Sequence, residues 1–293
     1  MPQEPVNASD GRPGALRVIL LTLGWAELPI SVSLYGDTTG RRLREPIPGV
    51  LVETVQGWVL LDTGFNLALL QDPWLNRRFY GHDPEVRVEL PGTGEPIHEA
   101  LAAVGLAVGD IAAVGISHLH YDHAGALRLF AELGLPVHIQ RRELEYGLSG
   151  HPEPEHNGMF RVDYDDVAVN WQLAEGEAEI LPGVRAIPTS GHTPGHQSFV
   201  VDLAPEVGGG GFVFAFDAAD LTENIEQEIA VGGFIGCGPE QTVARIKEMK
   251  ALASSLGYRL VPGHDPVVWP ALTEELSRRW PSLRGDQASP SPG

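Results

Sequence analysis

Ser117-His118-Leu119-His120-Tyr121-Asp122-His123-Ala124-Gly125 is the stretch on which both fold and chemistry turn. It follows an apolar run, Ile111 to Ile116, that reads as a buried strand, and it precedes a helix-like stretch, Ala124 to Leu133. A polar loop that caps a helix accounts for one histidine at such a place. It does not account for three histidines and an aspartate together. In an extended segment His118 and His120 point the same way, because strand side chains alternate. The turn toward the next helix then carries Asp122 and His123 to a neighbouring point. Neutral imidazole combined with carboxylate suits zinc or another borderline first-row metal.

One loop cannot close a two-metal site, so further donors are expected where other buried strands end. Three places qualify. Gly191-His192-Thr193-Pro194-Gly195-His196 follows the run Val184 to Pro188, and His196 opens the next strand. Asp217 follows Phe212 to Phe216, where a carboxylate is costly unless a positive charge meets it. His264 follows Arg259 to Val261. His192, four residues before His196, reads first as a structural group. His82, His98, His138, His151 and His156 lack this context and read as surface or packing residues, and the single cysteine, Cys237, as a small structural one.

Further strands are expected at Val18 to Thr22, Gly49 to Thr54, Trp58 to Leu61, Val137 to Gln140 and Ser198 to Leu203. Helical periods appear at Glu95 to Val104 and Pro239 to Leu256, the latter with proline at its start and Gly257 at its stop. Strands interleaved with amphipathic helices imply an α/β fold with sheets in the middle and helices outside. An αβ/βα sandwich satisfies this, and spacing alone does not separate it from other α/β layerings. The Gly208 to Gly211 run reads as a hairpin loop, and no linker divides the chain. One domain at 15–283 is expected, between polar, disordered tails at 1–14 and 284–293. Residues Asp72 to Pro96, rich in aromatics, read as a pocket wall, a subunit contact or a surface excursion.

A net charge of −19 argues against nucleic acid and anionic membranes as partners. No run approaches the roughly 20 apolar residues of a membrane span, and no secretory signal is visible. A cytoplasmic location fits the lone cysteine.

The motif His118-x-His120-x-Asp122-His123, followed in order by His196, Asp217 and His264, resembles the metallo-β-lactamase superfamily. The likeness runs from about residue 15 to 270. Within it, Ser117 to Gly125, Thr193-Pro194-Gly195-His196-Gln197-Ser198, Asp217-Ala218, and Thr222-Glu223-Asn224 through Gly232-Gly233-Phe234 look like the N-acyl-homoserine lactonases, which open the lactone ring of bacterial quorum-sensing signals. The resemblance implies a four-layer αβ/βα sandwich. It implies two divalent ions, zinc first, with manganese, iron and cobalt compatible. One would be held by His118, His120 and His196, the other by Asp122, His123 and His264, with Asp217 bridging. Asp62 would support them from behind. It also implies a small lactone or ester substrate, a homodimer, attack by a metal-bridging hydroxide, and Asp122 as proton shuttle. One position departs. Those lactonases carry a tyrosine three residues after the bridging aspartate, where this chain has Asp220, whose ionised form would repel a developing oxyanion. Tyr121 is the alternative donor there, or else an aromatic wall. Another ester, thioester or lactone hydrolase, a phosphodiesterase, and a metal-binding protein without turnover remain open.

Overall fold

Alternation decides how the first part of the chain folds. Val18, Leu20, Val50, Val52, Val59 and Leu61 pack into one buried cluster, while the intervening Leu21, Leu51 and Leu60 pack into another. A strand whose successive side chains are apolar on both faces must be covered on both sides. The computed structural model describes residues 13–81 and 86–280, apart from the side chains of 154 and 155, and shows that arrangement. The expected C-terminal tail, most of the N-terminal one and His82 lie outside the described residues.

Seven strands form the first sheet: β1 (Arg17–Pro29), β2 (Arg42–Thr54), β3 (Gly57–Leu61), β4 (Arg87–Glu89), β5 (Ile111–Gly115), β6 (Pro136–Gln140) and β7 (Asn170–Ala174). Their order is β4-β1-β2-β3-β5-β6-β7. The second sheet holds β8 (Ala178–Leu181), β9 (Val184–Pro188), β10 (Gln197–Asp202), β11 (Gly211–Phe214) and β12 (Arg259–Val261), in the order β12-β11-β10-β9-β8. Phe199, Val201, Phe212, Phe214 and Val184 meet the Val18–Leu61 set between the sheets. On the outer face of the first sheet lie helices α1 (Pro96–Val104) and α2 (Leu127–Ala131), through Ile97, Leu101, Leu127 and Phe130. On the outer face of the second lies α3 (Pro239–Leu256), through Ile246, Met249 and Ala253. The architecture is the four-layer αβ/βα sandwich. Strands β4, β7 and β8 are short or weakly apolar and carry little periodic signal.

Strand direction places the site. β3 and β5 are parallel, β11 and β12 are parallel, and β9 and β11 both lie antiparallel to β10. The chain therefore leaves all five strands at one edge of the two sheets. Those exits carry Asp62, the 117–125 loop, the 189–196 loop, Asp217 and His264.

Candidate metal centre

A buried carboxylate, Asp62, braces the 117–125 loop from behind. Asp62 follows β3 with φ of 58°, a conformation uncommon for a residue with a side chain. Its Oδ1 accepts from Ser117 N (2.7 Å), and its Oδ2 accepts from Ser117 Oγ (2.6 Å) and lies 2.7 Å from His123 Nδ1. Ser117 Oγ also lies 2.9 Å from His118 Nδ1. Asp62 thus orients two rings, one directly and one through Ser117, and leaves both Nε2 atoms facing forward. Gly125 seats the loop against the turn after Asp62; a Cβ there would lie 2.2 Å from Asn66 N.

Forward of the loop the donors fall into two groups. His118 Nε2 and His192 Nε2 each lie 2.9 Å from His120 Nδ1, and Asp217 Oδ2 is 3.7 Å from His118 Nε2 and 3.4 Å from His192 Nε2. In the second group His123 Nε2 lies 3.5 Å from Asp122 Oδ2 and 3.2 Å from Asp217 Oδ1, and His264 Nε2 lies 3.0 Å from Asp217 Oδ1. A tetrahedral ion with bonds of about 2.0–2.1 Å keeps its donors about 3.3–3.4 Å apart. Both groups have that scale. Asp217 offers one oxygen to each, which is the geometry of a bridge.

His192, not His196, completes the first group. The expectation for His196 is thereby corrected, as is the structural reading of His192. Thr189 N donates to His196 O (2.8 Å), which closes the loop and seats His196 at the start of β10. The His196 ring then lies behind His118, its Nδ1 2.8 Å from Thr189 Oγ1. His192 rides at the loop tip, where Ile235 N donates to its carbonyl (2.8 Å). The two loops of this group share a strut that sequence reasoning missed. Fully buried Glu143 accepts from Leu119 N (3.1 Å), Thr193 Oγ1 (2.8 Å) and Gly195 N (2.8 Å). Burial pushes its carboxyl up to about 7.

Asp217 and His264 are aimed by backbone. Phe216 has φ of 48°, unfavourable for a bulky residue, and Gly263 packs on its main chain where a Cβ would come within 2.8 Å. His264 Nδ1 donates to Pro46 O (2.9 Å), which frees Nε2 for the centre.

Charge separates the groups. Burial holds His118 and His192 well below the ordinary imidazole range and brings His120 down to about 4, so these rings are neutral. Burial acts on His123 and His264 in the same direction, but the Asp217 carboxylate overrides it. His264 is pushed up to about 10, and His123, facing Asp122 and Asp62 as well, well above its usual value. Asp217 is held well below the carboxylate range: burial opposes ionisation, and His123 and His264 outweigh it. The second group therefore attracts positive charge. His123 Nε2 is buried with no hydrogen-bond partner, and the donor chemistry is imidazole plus carboxylate. The residues fit a pair of divalent ions.

A cavity of about 680 Å³ opens onto both groups. Leu28, Val32, Phe79, Tyr80, Phe160 and Phe234 line it, so the 72–96 segment does contribute a wall. Tyr121 also lines it, stacked on Phe160 with ring centres 5.2 Å apart and edge-on to Tyr80 at 5.0 Å. Asp220 lines the cavity beside Asp217 and His264; it is 4% exposed, and its Oδ1 is buried without a partner. Burial and the Asp217 charge raise its carboxyl well above the usual range. Glu45, not anticipated from sequence, faces the same space, accepts from Ser33 Oγ, and is pushed up to about 7 by burial. His156 reaches the wall from an exposed position. His98, His138 and His151 lie outside the cavity lining and the metal-capable groups, and Cys237 is half-buried. Among the described residues no helix is long and apolar enough to cross a membrane.

Comparison with known proteins points the same way. The profile of the metallo-beta-lactamase superfamily matches residues 44–207. The N-acyl homoserine lactonase AiiA of Bacillus thuringiensis subsp. kurstaki is 31% identical over 229 residues, covering 78% of this chain and 84% of that one. The N-acyl homoserine lactonase AttM of Azorhizobium caulinodans is 27% identical over 266 residues, covering 87% and 95%. A solved N-acyl homoserine lactone hydrolase, with the product N-hexanoyl-L-homoserine at its catalytic metal center, superposes with a TM-score of 0.74 at 29% identity, covering 86% and 94%.

Proposed function

The chain belongs to the metallo-beta-lactamase superfamily, and from that premise we propose that it is a dinuclear metal-dependent hydrolase that opens the ring of N-acyl-homoserine lactones. The observation that carries the reading is Asp217, which turns one carboxylate oxygen to each of two donor groups at the floor of a largely apolar cavity. The lactonases AiiA and AttM supply the substrate class. In this reading His118, His120 and His192 hold one ion, Asp122, His123 and His264 hold the other, and Asp217 is shared. When bound, such ions polarise a carbonyl and make water acidic near neutral pH, from about 15.7 toward roughly 7 for one zinc.

The chain's own residues supply the rest. Leu28, Val32, Phe79 and Phe234 bury an acyl chain, a large apolar surface with little polar demand. Tyr121, wedged in its aromatic stack, forms a rigid side of the pocket. Asp122 borders the cavity with its carboxyl held below the ordinary range: burial opposes ionisation, and His123 outweighs it. Ionised, Asp122 takes a proton from the attacking water and returns it to the alkoxide oxygen freed when the ring C–O bond breaks. Protons and charge balance over the cycle.

The test is ion content of the purified protein beside a ring-opening assay, before and after chelation. Two ions per chain and lactonase activity lost on chelation and restored by zinc are expected. Activity that survives complete ion removal overturns the reading. A second substrate class is tested beside the first, because Asp220 stands where a tyrosine is expected to meet the lactone carbonyl. Aryl esters and glutathione thioesters assayed alongside separate the two by kcat/KM.

A further inference from the structure

The mechanism leaves Asp220 without work. It stands three residues beyond the bridging aspartate, and its carboxylate, Asp217 and His264 present donor atoms that all lie within 4.8 Å of one another. Asp220 is 4% exposed and its Oδ1 has no hydrogen-bond partner. Ionised, a buried carboxylate with neither donor nor cation is costly, and a bound cation beside Asp217 and His264 would satisfy it. Main-chain bonding fixes its position: His264 N donates to Asp220 O (2.8 Å) and Gly263 N to Ala219 O (2.9 Å). The segment that carries Asp220 is thereby tied to the segment that carries His264.

We infer that Asp220 is a further donor to the second ion, so that the two halves of the centre select different metals. The inference rests on the dinuclear reading above. The first half offers three imidazole nitrogens and one shared carboxylate. The second offers Asp122, His123 and His264 as one close set and Asp217, Asp220 and His264 as another, joined through His264, so that carboxylates outnumber imidazoles across the two. Imidazole-rich sets suit zinc, whereas carboxylate-rich, higher-coordinate sets suit manganese and similar hard ions. The first half takes zinc, and the second takes the harder ion when zinc is limiting.

Metal-free full-length protein given one equivalent of Zn2+ and excess Mn2+, then desalted, tests this by elemental analysis and the manganese resonance signal. One zinc and one manganese per chain are expected. Asp220→Asn keeps the zinc and weakens manganese by at least the roughly 10–100-fold that loss of a supporting partner costs. Asp220→Glu, which preserves a carboxylate, retains manganese. Circular dichroism of the metal-free variants confirms that both fold. Asp220→Asn binding manganese with unaltered affinity and an unaltered signal overturns the assignment while the dinuclear reading stands. Such a result, with KM for lactone displaced, turns the carboxylate toward substrate instead. Wild-type protein that holds fewer than two ions overturns both.

Discussion

The two halves of the centre differ in donors, in charge and in how they are braced. The first gathers three neutral imidazoles from two loops, with Glu143 accepting hydrogen bonds from both loops. The second sets imidazoles among carboxylates, with Asp62 behind His123 and the Pro46 carbonyl behind His264. In the first half burial outweighs the Asp217 charge and keeps the rings uncharged, whereas in the second the carboxylates outweigh burial and charge them. Two sites that share Asp217 can therefore present different coordination chemistry within one cavity.

The largest expected effect lies in the second half. Asp122→Asn lowers lactone turnover by about 10²–10⁴-fold, as removal of a general acid–base group does, measured by ring-opening kinetics beside ion content. Near-wild-type turnover with both ions retained removes Asp122 from the chemistry. The first half is sharpened by a pair of variants. His192→Ala weakens one ion by at least about 10–100-fold, whereas His196→Ala lowers Tm and leaves two ions bound. The opposite outcome in elemental analysis restores His196 as the donor.

Proton counting separates the halves directly. With His120 near 4 and His118 and His192 well below their ordinary range, filling the first half at pH 7 displaces no proton. With His264 near 10 and His123 raised, filling the second half displaces protons from both, and from Asp220 as well if it joins that ion. Calorimetry in buffers of different ionisation enthalpy measures this, and equal release at both steps contradicts the charge asymmetry. The sign for the metal-free protein follows. The stability contributed by protonated His264 is full below its ordinary value of 6.5 and is lost as pH rises through about 10. The smallest effect is expected at Glu143→Gln. An amide nitrogen facing Leu119 N or Gly195 N leaves a buried donor unpaired, at about 1–3 kcal/mol by chemical denaturation. The first-half ion weakens before the second.

Much of this was legible in residues alone. The 117–125 motif and the apolar runs ending at Asp217 and His264 stood out, because donor types at the mouths of buried strands have few other reasons to be there; Asp62 came only from the family resemblance. Local pattern also indicated the layered α/β class. The choice between His192 and His196 was not legible. Both lie in Gly191-His192-Thr193-Pro194-Gly195-His196, and only the closure of that loop onto β10 shows which ring turns forward. Glu45 and Glu143 were invisible for a related reason. Each is an ordinary glutamate in sequence and becomes exceptional only when distant segments bury it.

Composition, alternation and short-range spacing depend on neighbours along the chain, so they set which strands form and which ends carry ligand-type side chains. Which of those side chains converge depends on strand direction, loop closure and burial supplied by residues far away in sequence. Asp217 came to face both donor groups, and Asp220 Oδ1 to lie without a partner beside it, only once β11 and β12 were laid parallel and their exits met the 117–125 loop across the gap between two sheets.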